Sequence, residues 1–135
     1  MKARMTVLGA ALAASLVGGP ALAVDVNVTL SGDNEVPPVK TAGKGSGKIT
    51  IADDGAVSGS VTTTGVPGTM AHIHDGAPGT NGPVIVPFIK DGDTYKAPPG
   101  AKLTPAQMQD FKDGKLYFNV HTDANKGGEV RGQLK

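Results

Sequence analysis

Apolar and polar residues alternate along short stretches of this chain, and the alternation stops each time at a cluster of Gly, Pro, Asp or Asn. In VDVNVTLSG, Val24, Val26, Val28 and Leu30 fall on one side and Asp25, Asn27 and Thr29 on the other. That two-residue period is the mark of a half-buried strand. GSGKITIADDGAVSGSVTTTG predicts two strands about an Asp53-Asp54-Gly55 turn, with Ile49, Ile51, Val57 and Val61 facing inward. TMAHIHDG predicts a short strand, and NGPVIVPFIKDGD another, entered through an Asn81-Gly82 turn. KLYFNVHT and GEVRGQLK form a closing hairpin around the loop DANKGG. One stretch has helical signals instead. In LTPAQMQDFKDG, Thr104 is an N-cap, Pro105 sits at the first helical position and Gln107 completes a capping box. Leu103 and Met108 form a hydrophobic staple, and Gly114 ends a helix expected over Pro105 to Asp113. A parallel sheet needs repeated crossover helices, and one helix is not enough. The expected fold is all-β: an antiparallel Greek-key sandwich or partly closed barrel of about seven strands with one short helix.

The start of the chain, MKARMTVLGAALAASLVGGPALAVDV, follows a different rule. Lys2 and Arg4 precede an apolar run from Val7 to Val17, helix breakers follow at Gly18 to Pro20, and Ala21-Leu22-Ala23 matches a small-x-small cleavage site. This predicts a signal peptide over residues 1–23 and a single domain over residues 24–135. The domain is then exported, to the periplasm or the medium. The apolar run falls short of the ~20 residues a membrane span needs, so no membrane attachment is expected after cleavage. Taking Lys2 and Arg4 from the 13 basic residues leaves 11 against 12 acidic ones. With no basic patch and 4% aromatic residues, nucleic acid is excluded as a partner. Cysteine is absent, which removes disulfides, thiolate metal sites and Cys nucleophiles. No Ser-His-Asp arrangement or carboxylate pair points to a hydrolase.

Histidine is scarce, with three in the chain, and two of them are one residue apart. Ala71 and Ile73 take the apolar side of their strand, so Met70, His72 and His74 point the other way. Leu116, Phe118 and Val120 do the same in theirs and turn Tyr117, Asn119 and His121 outward. Val130 and Leu134 leave Glu129, Arg131 and Gln133 outward too. All three histidines are therefore expected on the outer face of the sheet. His72 and His74 lie about 6.5–7 Å apart between Cα atoms, close enough to converge on one ion at about 2.0–2.1 Å each. His121 supplies a third nitrogen if its strand lies nearby. Three imidazoles without thiolates suit copper, with zinc as the alternative.

Five further residues are candidates for the surroundings of this site. The hairpin register sets His121 opposite Glu129 and Asn119 opposite Arg131, which makes Glu129 a candidate acceptor for a ligating imidazole. Met70 offers a soft sulfur for copper(I), or else serves as a cover. Glu35, in EVPPV, either brings a carboxylate to the histidines or to Arg131, or forms a salt bridge in a rigid edge segment; the second is the expectation. Asp75 is read as a turn cap, and Asp91 and Asp93 as turn residues rather than a calcium site.

LSGDNEVPPV (Leu30 to Val39), AHIHDGAPGTNGPVIV (Ala71 to Val86) and LYFNVHTDANKGGEVRGQL (Leu116 to Leu134) closely resemble the CHRD domain, first named from chordin. The three blocks occur in order and span nearly all of residues 24–135. The resemblance implies a secreted or periplasmic β-rich module of about this length, but not a biochemical role. A weaker likeness is to Cu/Zn superoxide dismutase. His72 and His74 match its His-x-His strand, and His121 could stand for a later copper ligand. That likeness implies an anion-guiding role for Arg131. Three histidines cannot supply that family's bridging ligand and zinc site, and its disulfide is impossible here. The expected function is metal handling or sequestration through a three-histidine site. A dismutase-like redox enzyme and a non-catalytic adhesion or protein-interaction module are the alternatives.

Overall fold

The structure is a computed structural model that describes residues 22–135. The expected signal peptide lies outside the described residues except for Leu22 and Ala23, and Ala23 begins the first strand. The strands are β1 (Ala23–Ser31), β2 (Lys44–Ala52), β3 (Val57–Thr64), β4 (Gly68–Asp75), β5 (Val84–Pro87), β6 (Ile89–Asp91), β7 (Thr94–Lys96), β8 (Leu116–Thr122) and β9 (Val130–Gln133). A 3-10 turn (Gly32–Asn34) follows β1, and the helix α1 (Pro105–Lys112) precedes β8. All pairings are antiparallel, in the order β5-β4-β8-β9-β1-β2-β3-β7-β6.

The two ends of that order belong to one run of chain. Only Phe88 separates β5 from β6, so residues 84–91 leave β4 and join β7 without a loop. Phe88 donates its N–H to the Ala71 carbonyl at 2.9 Å and turns its ring edge-on to Phe118, with centroids 4.9 Å apart. The sheet thus curls into a nearly closed barrel, which protects edges that would otherwise pair with other chains. This transfer explains why nine strands form where about seven were expected. Pro87 has no N–H to give the ladder, the run splits beside it, and the Asp91–Asp93 turn adds the short strand β7.

The alternation correctly assigns the core. Val26, Val28, Leu30, Ile49, Ile51, Val57, Val61, Ala71, Ile73, Leu116, Phe118, Val120, Val130 and Leu134 are all buried in one cluster. Val24 is exposed at the start of β1. The helix has its capping box: Thr104 Oγ1 accepts from Gln107 N at 3.2 Å, and Gln107 Oε1 accepts from Thr104 N at 2.9 Å. Phe111 on the helix and Leu103 just before it are buried. The segment leading into the helix meets the β2–β3 turn, where Leu103 N donates to Gly55 O at 2.9 Å. Asn81-Gly82 makes no hairpin turn. It lies in a loop over residues 76–83 that folds back across β8 and β9.

Candidate metal centre

β4 and β8 are neighbours, and their register decides the site. Met70 pairs with His121, His72 with Asn119 and His74 with Tyr117. Directly paired residues of an antiparallel ladder share a face, so the two histidines of β4 and the one of β8 gather on the side away from the core. Ring centroids are 4.8 Å apart for His72 and His121, 5.5 Å for His72 and His74, and 5.7 Å for His74 and His121. One nitrogen from each ring lies within 4.8 Å of the other two.

The expectation of an outward, solvent-facing set needs correction. His74 and His121 are only 6% and 8% exposed, and His72 is half-buried. Parts of three loops, residues 35–40, Asn81 and Gly82, and Asn125 with Gly127 and Gly128, wall a cleft of about 730 Å³ together with His74, Tyr117 and His121. Alternation tells which side of a sheet a residue takes. It carries no information on what later folds across that side.

The loops also set the proton positions. His121 Nδ1 donates to the Lys126 carbonyl at 2.7 Å, and His74 Nδ1 donates to the Gly82 carbonyl at 2.9 Å. A carbonyl only accepts, so each ring carries its proton on Nδ1 and a lone pair on Nε2. His121 Nε2 accepts from His72 Nδ1 at 3.0 Å. His74 Nε2 is buried and has no partner. Burial, with the nearby His121 and His74, pushes the His72 pKa down to about 4. Burial likewise lowers that of His74, outweighing the Gly82 carbonyl and the nearby Asn119 side chain, which favour the charged form. Both shifts favour the neutral ring, the form that binds metal.

His74 is held from a second direction. Its ring stacks on Tyr117 with centroids 4.7 Å apart and planes 5° from parallel. The Arg131 guanidinium lies 3.4 Å from the Tyr117 ring centroid. β8 runs between β4 and β9, so Tyr117 is the middle layer of this stack. Tyr117 was not among the candidates from the sequence. The alternation that put Asn119 and His121 on this face also placed Tyr117 there, but its contact with His74 depends on the pairing of β4 with β8. The carbonyls of Gly82 and Lys126 leave no signal in residue types.

The other candidates are distributed differently. Asn119 lies opposite Arg131, as the hairpin register requires. Its Nδ2 donates to Glu35 Oε1 at 3.4 Å and to the Gly127 carbonyl at 3.3 Å. Glu35 is 5% exposed, and burial pushes its pKa up to about 7 against the opposing effects of Asn119 and Arg131. Among the described residues, salt bridges join Lys48 to Asp25 and Lys96 to Asp91, so the one expected at Glu35 does not form. Arg131 is 1% exposed rather than outward, and it donates to the Thr80 carbonyl at 2.7 Å and the Ala77 carbonyl at 3.1 Å. It anchors the 76–83 loop and is too buried to guide an anion from solution. Glu129 accepts from Thr41 at 3.0 Å, Thr122 at 3.1 Å and Asn125 at 3.3 Å. It organises its own loop, and the imidazole proton expected to reach it goes to Lys126 O instead. Met70 stands at the solvent side of the cluster and is 51% exposed.

The donor set fits a transition metal. Two ligands at about 2.1 Å from one ion are at most about 4.2 Å apart, so the widest nitrogen pair has to close only slightly. Two of the three rings already have Nδ1 tied to a carbonyl, the arrangement that orients metal-bound imidazoles. Among the described residues, no helix is long and apolar enough to cross a membrane. No curated protein and no solved structure matches the chain. The family model of the CHRD domain matches residues 26–134, a span that reaches from β1 to β9 and takes in all three histidines. The chain therefore belongs to the CHRD-domain family.

Proposed function

We propose that this CHRD domain holds one transition-metal ion, copper ahead of zinc, through His72, His74 and His121, and serves in metal handling or sequestration. The observation that carries this reading is the convergence of the three rings: one nitrogen of each lies within 4.8 Å of the other two, and the Nε2 of His74 among them is buried without a hydrogen-bond partner. A buried acceptor left unsatisfied costs about 1–3 kcal/mol, and coordination relieves that cost. For His121 Nε2 to serve as a ligand, His72 Nδ1 would give up its hydrogen bond to it. Copper comes first because imidazole sites without thiolates favour it over the other divalent ions of the first row. An exported setting follows from the signal-peptide reading of residues 1–23. The burial of Arg131 leaves the dismutase alternative without its anion guide.

Titration of the metal-free protein with copper(II) and with zinc, followed by elemental analysis, tests the proposal. One ion per chain is expected, with nitrogen couplings in the copper(II) electron paramagnetic resonance spectrum. His74→Ala and His121→Ala each abolish stoichiometric binding. Folded alanine variants that bind as the parent does, or a parent that binds no ion, would overturn it.

A further inference from the structure

Given the metal-binding reading, on which this inference rests, the geometry points to Met70 as a fourth ligand whose thioether closes the site around copper(I). Met70 is the direct cross-strand partner of His121 and precedes His72 by two residues on β4. Side chains paired in this way start from Cβ atoms about 4.5–5.5 Å apart on the same face. Met70 is thus the next side chain on the face that holds His72 and His121. Its side chain is unbranched, with several rotatable bonds, and can swing its sulfur over the cluster without moving the backbone.

Two features of the surroundings favour this use. The loops that carry Gly82 and Lys126 hold His74 and His121 in place through their carbonyls. The half-buried His72 and the exposed Met70 lie at the most solvent-accessible end of the cluster. Met70 is the side chain with a metal-binding atom at that exposed end of the cluster, beside His72 on β4 and opposite His121 on β8. Its neighbours Ala71 and Ile73 are fully buried, while Met70 puts a large apolar group into water. Its position contributes little to the core but is suited to a ligand that moves onto an ion. The chemistry then selects the ion. A thioether is a soft donor that suits copper(I), whereas zinc is held by imidazole, thiolate and carboxylate.

The test compares the parent, Met70→Leu and His121→Ala. Copper(I) affinity is measured anaerobically by competition with a chromogenic chelator, and zinc affinity by a parallel competition. The parent is expected to show a sulfur scatterer in the first shell of copper(I) by X-ray absorption. Met70→Leu loses that scatterer, and its ratio of copper(I) to zinc affinity falls about tenfold or more. The exposed position makes misfolding of this variant detectable as a loss of thermal stability, which is not expected. If Met70→Leu keeps the parent's ratio while His121→Ala loses both metals, Met70 is not a ligand and the three-histidine site stands. If the parent binds copper(II) or zinc but not copper(I), the methionine proposal alone fails. If the parent binds none of the three, both fail.

Discussion

Replacing Arg131 by Lys keeps the positive charge and removes the planar fork. In the structure Arg131 Nη1 reaches the Thr80 carbonyl at 2.7 Å, and Nη2 reaches the Ala77 carbonyl at 3.1 Å. The guanidinium plane also covers the Tyr117 ring at 3.4 Å. An ammonium group can keep one of these hydrogen bonds but not both, and it cannot stack. Losing one charge-assisted hydrogen bond costs about 1.5 kcal/mol, and losing a desolvated contact over an aromatic face costs about 1–2 kcal/mol. The expected loss is about 3 kcal/mol of folding stability, or a fall in Tm of roughly 10–15 °C for a domain of this size. Urea unfolding followed by far-ultraviolet circular dichroism measures it directly; the chain has no Trp to serve as a probe. The variant should also loosen the 76–83 loop. That frees the Gly82 carbonyl from His74 Nδ1 and weakens metal binding about tenfold or more, as loss of an orienting partner does. A stability loss below about 1 kcal/mol would show that Arg131 does not anchor the loop. A full stability loss with unchanged metal affinity would sever the loop from the site.

Other consequences are smaller in reach. Glu35, with its pKa raised to about 7 from an ordinary 4.5, binds a proton more tightly when folded, so its contribution to stability is present at low pH and lost as pH rises through 7. Glu35→Gln should therefore gain stability relative to the parent at pH 8 compared with pH 5, by on the order of 2 kcal/mol; an equal difference at both pH values in urea unfolding refutes the burial of an ionising carboxyl. His72 acts in the opposite sense. Its pKa is lowered to about 4 from 6.5, so the stability it permits is complete above 6.5 and lost as pH falls towards 4. His72→Gln should flatten the acid limb of the stability profile, as read from Tm against pH. Gly128 has a φ of +125°, and a Cβ there would run into Glu35 Oε2 and Asn119 Nδ2. Gly128→Ala should cost about 2 kcal/mol, measured by calorimetry. Thr104→Ala removes the helix cap and should cost about 1 kcal/mol, with metal affinity unchanged because the capped end lies at the β2–β3 turn, where Leu103 N meets Gly55 O; loss of metal affinity in that variant would contradict this separation.

Particular residues show how far the order of amino acids reaches. Ile49 and Ile51 had to share a face because a strand has a two-residue period, and the same rule set His72 beside His74 and turned both from the core. Thr104 and Gln107 could be read as a capping box because both partners lie within one turn. Asn119 opposite Arg131 was equally legible, since a short loop between β8 and β9 limits the register. Each of these rests on groups close together along the chain, where covalent geometry leaves few choices.

The features that make a site were of another kind. His72 and His121 are 49 positions apart and meet because β4 lies beside β8. Arg131 went inward because the 76–83 loop brought carbonyls to it, and Glu129 turned to Thr41, Thr122 and Asn125 rather than to an imidazole. The sequence by itself determined an all-β chain, the side of the strand each histidine occupies and the three nitrogens available. Only the tertiary structure decided that those nitrogens converge, that loops bury two of the rings and that carbonyls fix their protons. Side-chain direction is a property of local backbone dihedrals, whereas strand neighbours and loop cover follow from packing energies summed over the whole domain.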